Sequence, residues 1–241
     1  FQPFAVLQRG LVGDDAGALR VGAGLSHPNI LTFGQAEGAN VRVTDIVAAG
    51  PVAATLTHGE EQARMQLAVP GVHNAINAAG AVTVLRALGY PLADAVRAVE
   101  GFAGTVRRLE QHGVERGVTV YDDYSHHPTE VRAALEAMRS IAGEGRIIAI
   151  QQPHTYSRTQ HMYQEFADVL EEFADHTVML DVYGAREDPV PGVTGELVSG
   201  AFRDPSHVHY VADWQQAADY TATVARDGDF VVTLGCGNVY Q

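Results

Sequence analysis

From residue 118 to residue 239, short apolar segments alternate with amphipathic ones, and this alternation constrains the fold more than any other feature. β-branched and aromatic residues predict strands, and an apolar period near 3.6 predicts helices. The predicted strands are residues 118–121, 146–150, 177–180, 208–211 and 230–234, and the predicted helices are 128–140, 159–174, 195–202 and 214–226. Strands and helices that alternate in this way form a doubly wound, mostly parallel sheet. We therefore expect an α/β fold.

The first hundred residues have a different pattern, with short strands and turns followed by two helices. Strands are predicted at 41–46, 53–57 and 65–69, with turns around Asp14, Asp15 and Gly17. One helix ends at Leu88, before Gly89 and Pro91, and the second spans 92–100. A connection with the adjacent arginines Arg107 and Arg108 follows. The sequence therefore predicts two domains, residues 1–106 and 107–241.

Composition excludes several classes of function. The formal charge of −13 disfavours non-specific binding to nucleic acid. No apolar run reaches the roughly 20 residues that span a bilayer, so we expect no membrane partner. The single cysteine, Cys236, fits a reducing compartment, and we expect a cytoplasmic protein. All 16 basic residues are arginine, which excludes from this sequence a lysine Schiff base and the lysine of a Walker-type phosphate loop.

Five polar side chains follow the predicted strand at 118–121, and we call residues 122–127 the first corner. They are Asp122, Asp123, Tyr124, His126 and His127. Because ligands of parallel sheets lie at the carboxyl ends of strands, this corner is a candidate binding site. The alternative is that Asp122 or Asp123 caps the turn and the histidines are surface residues. A metal site of His126, His127 and Glu130 is disfavoured, since no further ligand pair has a zinc-like spacing.

A second polar segment, residues 151–158, follows the predicted strand at 146–150, and we call it the second corner. It contains His154 and ends at Arg158. A guanidinium forks onto a carboxylate or a phosphate. Since the carboxyl ends of parallel strands meet at one edge of a sheet, we expect the two corners to lie side by side.

Asn74 and Asn77 are three residues apart near the start of a predicted helix, and His73 precedes them. Side chains three apart lie on one helical face, and two carboxamides offer the donors and acceptors that an adenine edge needs. The alternative is that Asn74 caps the helix and His73 has no role.

Together, five strings resemble the Mur ligases. They are PGVHNAIN at 70–77, GTVRR at 104–108, DDYSHHPTE at 122–130, QPHTYSRT at 152–159 and DVYGAREDP at 181–189. The resemblance implies that residues 1–106 are the C-terminal part of a central ATP-binding domain and that residues 107–241 are a Rossmann-like C-terminal domain.

The resemblance also implies the chemistry, which is ATP-dependent amide synthesis for peptidoglycan. A carboxylate of UDP-N-acetylmuramate takes the terminal phosphate of ATP, the amine of L-alanine attacks the acyl phosphate, and Mg²⁺ is required. The implied contacts are His73, Asn74 and Asn77 with adenine, Arg108 with the phosphates, Asp123 and the adjacent Tyr124 with the ribose, and His126, His154 and Arg158 with the amino acid. His126 is the candidate catalytic residue, and no metal ligand is assigned.

Two departures from the family pattern lead to further expectations. Many relatives carry a second arginine where this chain has Thr155, so the amino-acid carboxylate would rest mainly on Arg158, and Thr155→Arg should tighten binding. The missing phosphate loop and the start at Phe1 suggest a catalytically incomplete piece, with the metal ligands mainly elsewhere. The alternatives are a related ligase that attaches a whole peptide, which the QPHTYSRT string disfavours, and a non-catalytic module that contacts nucleotide and substrate.

Overall fold

The structure, a computed structural model, describes residues 10–24 and 29–239. The chain divides into two compact units, Phe1–Gly104 and Thr105–Gln241. Within the described ranges, every helix is too short or too polar to cross a membrane.

In its described residues, the first unit is a five-stranded mixed sheet with three helices. Its strands are β1 (Gly10–Gly13), β2 (Ile30–Gly34), β3 (Val41–Val47), β4 (Pro51–His58) and β5 (Glu61–Pro70), and its helices are α1 (Ala16–Gly24), α2 (Val72–Ala87) and α3 (Leu92–Glu100). The strands lie in chain order, with β1, β2 and β3 parallel and with β4 and β5 antiparallel to their neighbours. The alternating buried residues of β4 and β5 face α2 and α3 across one apolar core.

The helix α1 was missed in the sequence, where this region was expected to hold strands and turns only. Asp15 does make turn-like bonds, because its Oδ1 accepts from the backbone N–H groups of Gly17 and Ala18. These bonds cap the first turn of a helix. Three of the nine residues of α1 are glycines, which are poor helix formers, so its sequence carries little helical signal.

The second unit is a six-stranded sheet with helices on both faces. Its strands are β6 (Glu110–Glu115), β7 (Val118–Asp123), β8 (Ile147–Gln151), β9 (His176–Met179), β10 (Val208–Tyr210) and β11 (Phe230–Leu234). Its helices are α4 (Pro128–Ala142), α5 (Tyr156–Phe173), α6 (Gly195–Ser199) and α7 (Trp214–Val224). The order is β10-β9-β8-β11-β7-β6, and all neighbours are parallel except β6 with β7. The expected α/β fold with a mostly parallel, doubly wound sheet is confirmed.

The central strand β8 is buried on both faces, as expected for a strand covered by helices on both sides. Ile147 and Ala149 pack with the residues of α4 and α5 on one face. Ile148 and Ile150 pack with Ala217 of α7 on the other face. The strand β11 is parallel to both β7 and β8. The carboxyl ends of these three strands therefore meet at one edge of the sheet, where the first and second corners begin.

Two local features of this unit were not predicted from its sequence. Residues 110–115 form the edge strand β6, whose pairing with β7 is irregular between Gln111 and Gly113. His207 lies just before the strand β10, which contains His209. It ends a short 3-10 helix, Pro205–His207, in which Asp204 accepts a bond from the backbone N–H of Ser206.

Candidate functional site

Arg107 and Arg108, the adjacent arginines before β6, have different surroundings. Arg107 donates from Nε to Asp122 Oδ2 at 2.7 Å and from Nη2 to the carbonyl oxygen of Gly235 at 2.6 Å. Its side chain is 15% exposed, and that of Asp122 is 3% exposed. Arg107 therefore joins the segment before β6 to β7 and to the loop after β11. Arg108 is exposed, which leaves it the better placed of the two to meet a ligand.

Tyr124 is the exposed aromatic side chain of the first corner. The guanidinium carbons of Arg107 and Arg108 lie 4.9 and 5.8 Å from the centre of its ring. The ring of His126 meets it edge-on at 5.6 Å. A flat ring beside an exposed cation is suited to contact a nucleotide through its apolar face while the cation meets phosphate.

Asp123 is turned into the protein, and its side chain is held by its own chain. Oδ1 accepts from the backbone N–H of Ser125 at 2.8 Å and from its hydroxyl, and Oδ2 accepts from the N–H of Leu109 at 2.9 Å. The residue is only 4% exposed. Burial raises the pKa of Asp123 above its usual value, although the bonds from Ser125 and Leu109 oppose this shift. Through these hydrogen bonds, the Asp123 carboxylate holds the backbone of the first corner in place.

The two histidines of the first corner have different surroundings. The Nδ1 of His127 accepts from the N–H of Thr129 at 3.2 Å, so His127 is the N-cap of α4, with Pro128 next in the helix. His126 Nδ1 lies 2.9 Å from the carbonyl oxygen of Tyr124. Because a carbonyl can only accept, Nδ1 carries the proton there, and Nε2 of the neutral ring keeps a lone pair. His126 can therefore accept a proton at Nε2.

The second corner is built by the chain that leads from β8 into α5. His154 forms an isolated parallel bridge with Tyr183, and their rings stack at 5.8 Å. Thr155 is the N-cap of α5 and has a φ of 66° and a ψ of 139°, a backbone conformation that is costly for a β-branched residue. Such strain is stored most often at functional sites.

Arg158 joins the second corner to the first. Its Nη1 lies 3.3 Å from the carbonyl oxygen of His126 and 3.4 Å from both the carbonyl oxygen and the Nδ1 of His154. The rings of His126 and His154 are 5.6 Å apart. The expected adjacency of the two corners is therefore confirmed.

The surroundings of His154 favour its neutral form. Burial lowers its pKa, and the nearby His126 and Arg158 lower it further, while Glu187 opposes them. Since a guanidinium only donates, His154 Nδ1 accepts from Arg158 and its proton lies on Nε2. The joined corners thus hold one fixed cation beside two imidazoles.

Several residues that shape this site had no predicted role. Glu187 Oε2 accepts from the backbone N–H of Ser157 at 2.7 Å, and its Oε1 accepts from the hydroxyl at 2.5 Å. Gly237 lies so close to the second corner that a Cβ on it would come within 2.3 Å of Gln152 Oε1. The polar segments QPHTYSRT and DVYGAREDP could have suggested that their side chains meet. However, no spacing rule predicts the specific contact between Ser157 and Glu187.

In the first unit, Asn74 and Asn77 both lie in the first turns of α2, as expected. Asn74 Nδ2 donates to the carbonyl oxygen of Pro70 at 2.7 Å, while Asn77 is exposed and His73 is half-buried. The helix is capped by Gly71 without a side-chain bond, so the alternative that Asn74 is the cap is wrong.

Within residues 10–24 and 29–239, no three His, Cys, Asp or Glu side chains are placed to hold a metal ion. His126 and Glu130 do approach each other, with 3.3 Å between Nδ1 and Oε2. His127 instead caps α4, so these three residues do not form the metal site considered above.

Comparison with known proteins gives one family match and many relatives. The model of the family described as Mur ligase, glutamate ligase domain, matches residues 107–237. The UDP-N-acetylmuramate–L-alanine ligase of Clavibacter sepedonicus is 62% identical over 228 residues, which are 95% of this chain and 48% of that protein. The enzyme of the same name from Cutibacterium acnes is 43% identical over 232 residues, covering 94% and 49%. The chain thus spans about half the length of the curated relatives it matches.

Solved structures support the fold. The UDP-N-acetylmuramate–alanine ligase from Thermotoga maritima has a TM-score of 0.70 at 24% identity, and the match covers 87% of this chain and 45% of that one. The MurF ligase from Thermotoga maritima, solved in complex with ADP, has a TM-score of 0.70 at 19% identity and covers 94% and 49%. At these identities the likeness is one of fold.

Proposed function

Because this chain belongs to the Mur ligase family, we propose that it is the part of an ATP-dependent ligase that contacts nucleotide and amino acid. The whole protein joins L-alanine to UDP-N-acetylmuramate through an acyl phosphate, a step of peptidoglycan synthesis in the cytoplasm, where ATP is available. The observation that carries the proposal is the cation of Arg158, held beside the two imidazoles of His126 and His154.

The amino acid fits this joined corner chemically. Its carboxylate pairs with the Arg158 guanidinium in a charge-assisted hydrogen bond. Its amine must lose a proton before it attacks the acyl phosphate, and an uncharged imidazole can take that proton. His126 is the better candidate for this role, because its Nε2 keeps a lone pair, whereas His154 Nδ1 already accepts from Arg158.

We propose that ATP is contacted through Arg108 and Tyr124. The exposed Arg108 offers its guanidinium to the phosphates, and the ring of Tyr124 lies beside it. Asp123 was predicted to meet the ribose. Its side-chain oxygens accept hydrogen bonds from Ser125 and Leu109, so it supports the ATP contact by holding the backbone next to Tyr124 and Arg108. In the first unit, His73, Asn74 and Asn77 remain the proposed adenine contacts, with Asn77 the most accessible.

Mg²⁺ is part of the proposal for the whole protein, with its ligands mainly outside this chain, and no three His, Cys, Asp or Glu side chains of the described residues converge on a metal site. We also propose that residues 1–106 end the central ATP-binding domain and that residues 107–241 form the C-terminal domain. The phosphate-loop lysine would then lie outside this lysine-free sequence.

The test is phosphate release by the full-length gene product that contains this chain. We expect release that requires UDP-N-acetylmuramate, L-alanine and ATP together, with a mass increase on the sugar nucleotide equal to one alanine residue. Turnover with a tripeptide but not with L-alanine would instead identify the peptide-attaching relative. Binding of nucleotide without any turnover would identify the non-catalytic module.

A further inference from the structure

We propose that Glu187 is a positioning and specificity residue of the second corner. It fixes the first turn of α5, on which Arg158 stands, and its negative charge excludes amino acids that have an acidic side chain. The inference rests on the proposed function, because it concerns the amino-acid substrate of that site.

The first observation is the contact of Glu187 with the start of α5. Both carboxylate oxygens bind Ser157, one through the backbone N–H at 2.7 Å and the other through the hydroxyl at 2.5 Å. The first N–H groups of a helix have no partner within the helix and carry the positive end of its dipole, so they attract anions. Glu187 therefore occupies a place where the carboxylate of a substrate could otherwise bind.

The second observation is that the loop carrying Glu187 is held against the corner at both ends. Tyr183 donates its N–H to the carbonyl oxygen of Pro153 at 2.8 Å and accepts from the N–H of Thr155 at 2.9 Å. A Cβ on Gly184 would lie 2.6 Å from the ring of Tyr156, so only glycine allows the loop to approach this closely. The Glu187 N–H then donates to the carbonyl oxygen of Gly184 at 3.0 Å. The carboxylate is thus presented by a fixed turn.

The third observation concerns charge. The bonds from Ser157 lower the pKa of Glu187, and Arg158 lowers it further, so the carboxylate is charged at neutral pH. Its charge also acts on His154, whose pKa it raises against the effect of burial. An α-carboxylate can pair with Arg158, but a second carboxylate on the same substrate would face Glu187. The charge of Glu187 therefore selects against an amino acid with an acidic side chain.

The experiment compares Glu187→Gln and Glu187→Ala with the wild type in the full-length protein. Glutamine keeps an acceptor and a donor for the two groups of Ser157 but removes the charge. The neighbouring, exposed Asp188→Asn is the matched control, because it removes a charge from the same loop. For each protein, kcat/KM is measured for L-alanine and for L-aspartate, and KM is measured for ATP.

We expect Glu187→Gln to reduce the preference for L-alanine over L-aspartate by about 3- to 10-fold, the effect of one unit charge at several ångströms. Glu187→Ala should in addition raise KM for L-alanine by about 10-fold, since the loss of hydrogen bonds to a charged group loosens the turn below Arg158. KM for ATP should not change in either variant. An unchanged preference in Glu187→Gln, or an equal change in Asp188→Asn, would overturn the inference.

A second measurement does not depend on turnover. In this chain, the titration of His154 is followed by NMR and assigned with His154→Asn. Because the charge of Glu187 raises the pKa of His154, Glu187→Gln should move its midpoint to lower pH. If the wild type lacked alanine-dependent turnover, the proposed function would fail, and a midpoint that stayed in place would separately refute the coupling between Glu187 and the corner.

Discussion

The Nη1 of Arg158 lies 3.3 Å from the carbonyl oxygen of His126, although the two residues are 32 positions apart. This bond ties the start of α5 to the turn before α4. It also places the single guanidinium of the second corner at the edge of the first. A side chain that binds a substrate here is therefore held by both corners, and its loss should affect one substrate selectively.

Arg158→Ala should impair the use of the amino acid much more than the use of ATP. A charge-assisted hydrogen bond at a half-buried site contributes about 1.5–3 kcal/mol, or roughly 10- to 150-fold in kcat/KM for L-alanine. Steady-state kinetics of the full-length protein, with L-alanine and ATP varied separately, measure this. Arg132→Ala is the control, because Arg132 of α4 pairs with Glu172 of α5 and has no contact with His126, His154 or Arg158 among the hydrogen bonds and ion pairs of the described residues. A rise in KM for ATP alone would assign the corner to the nucleotide.

The two adjacent arginines should separate stability from nucleotide use. Arg107→Ala removes the partner of the buried Asp122 and a bond to Gly235, so we expect it to lower the free energy of unfolding by about 3 kcal/mol. Arg108→Ala should change stability by less than about 0.5 kcal/mol, because Arg108 is exposed. It should instead raise KM for ATP by about 10-fold or more. Urea denaturation and ATP kinetics of both variants test this, and the reverse result would exchange the two roles.

The predictable part of this structure follows from strong local signals. The strand β11 and the helix α3 have the bounds predicted from the sequence, because each has a clear apolar pattern with turn residues at both ends. The adjacency of the corners followed from the rule that parallel strands end at one edge of a sheet. The edge strand β6 carried no such signal, because its sequence EQHGVE is mostly polar and is interrupted by a glycine. Most of its residues are exposed in the structure, so they did not need an apolar pattern.

The orientation of single side chains could not be predicted in the same way. Asp122 and Asp123 are adjacent, yet both turn inwards, because Arg107 takes one and the N–H groups of Leu109 and Ser125 take the other. Arg107 and Leu109 lie in the segment before β6, and Ser125 follows Asp123 by two residues. Tertiary contacts therefore decide which of the polar groups in a corner remain available to a ligand.

Thr155→Gly should stabilise the protein. Glycine relieves a φ of 66° that costs a β-branched residue about 1–3 kcal/mol, and it loses only a long cap bond of 3.4 Å from the N–H of Arg158. After the greater freedom of glycine in the unfolded chain is subtracted, we expect a gain of about 0.5–1 kcal/mol. Thermal unfolding of the chain measures it, and a lower midpoint would show that the cap outweighs the strain.

The same geometry bears on Thr155→Arg, which is expected to tighten the amino acid. Arginine would keep the positive φ and lose the cap bond, so any gain in affinity should come with lower stability. Measuring both the midpoint of unfolding and KM for L-alanine tests this. Equal stability of Thr155→Arg and the wild type would mean that the backbone relaxes around the new side chain.

The last prediction concerns the dependence of stability on pH through Asp229, which precedes β11. Its oxygens accept from Arg146 Nε at 3.0 Å and Nη2 at 2.5 Å, and from the N–H of Arg226 at 2.7 Å. The hydrogen bond with Arg146 lowers the pKa of Asp229 below the usual 3.8. When folding lowers the pKa of a carboxyl group, the ionised group stabilises the folded state. This stabilisation is complete at a pH above the pKa of the unfolded state, and it is lost as the pH falls through the pKa of the folded state.

Asp229→Asn should therefore destabilise the protein at pH 7 and much less so at low pH. We expect about 1.5 kcal/mol at pH 7, near the lower end for bonds to charged groups, because the Arg146 side chain is 40% exposed. Asp168→Asn, at the exposed pair with Arg203, is the matched control and should cost less than about 0.5 kcal/mol at any pH. Urea denaturation of the three proteins at pH 7 and at pH 3 gives the comparison. The difference in the free energy of unfolding between Asp229→Asn and the wild type should shrink as Asp229 becomes protonated. If this difference is the same at both pH values, the ion pair with Arg146 is not the source of the stabilisation.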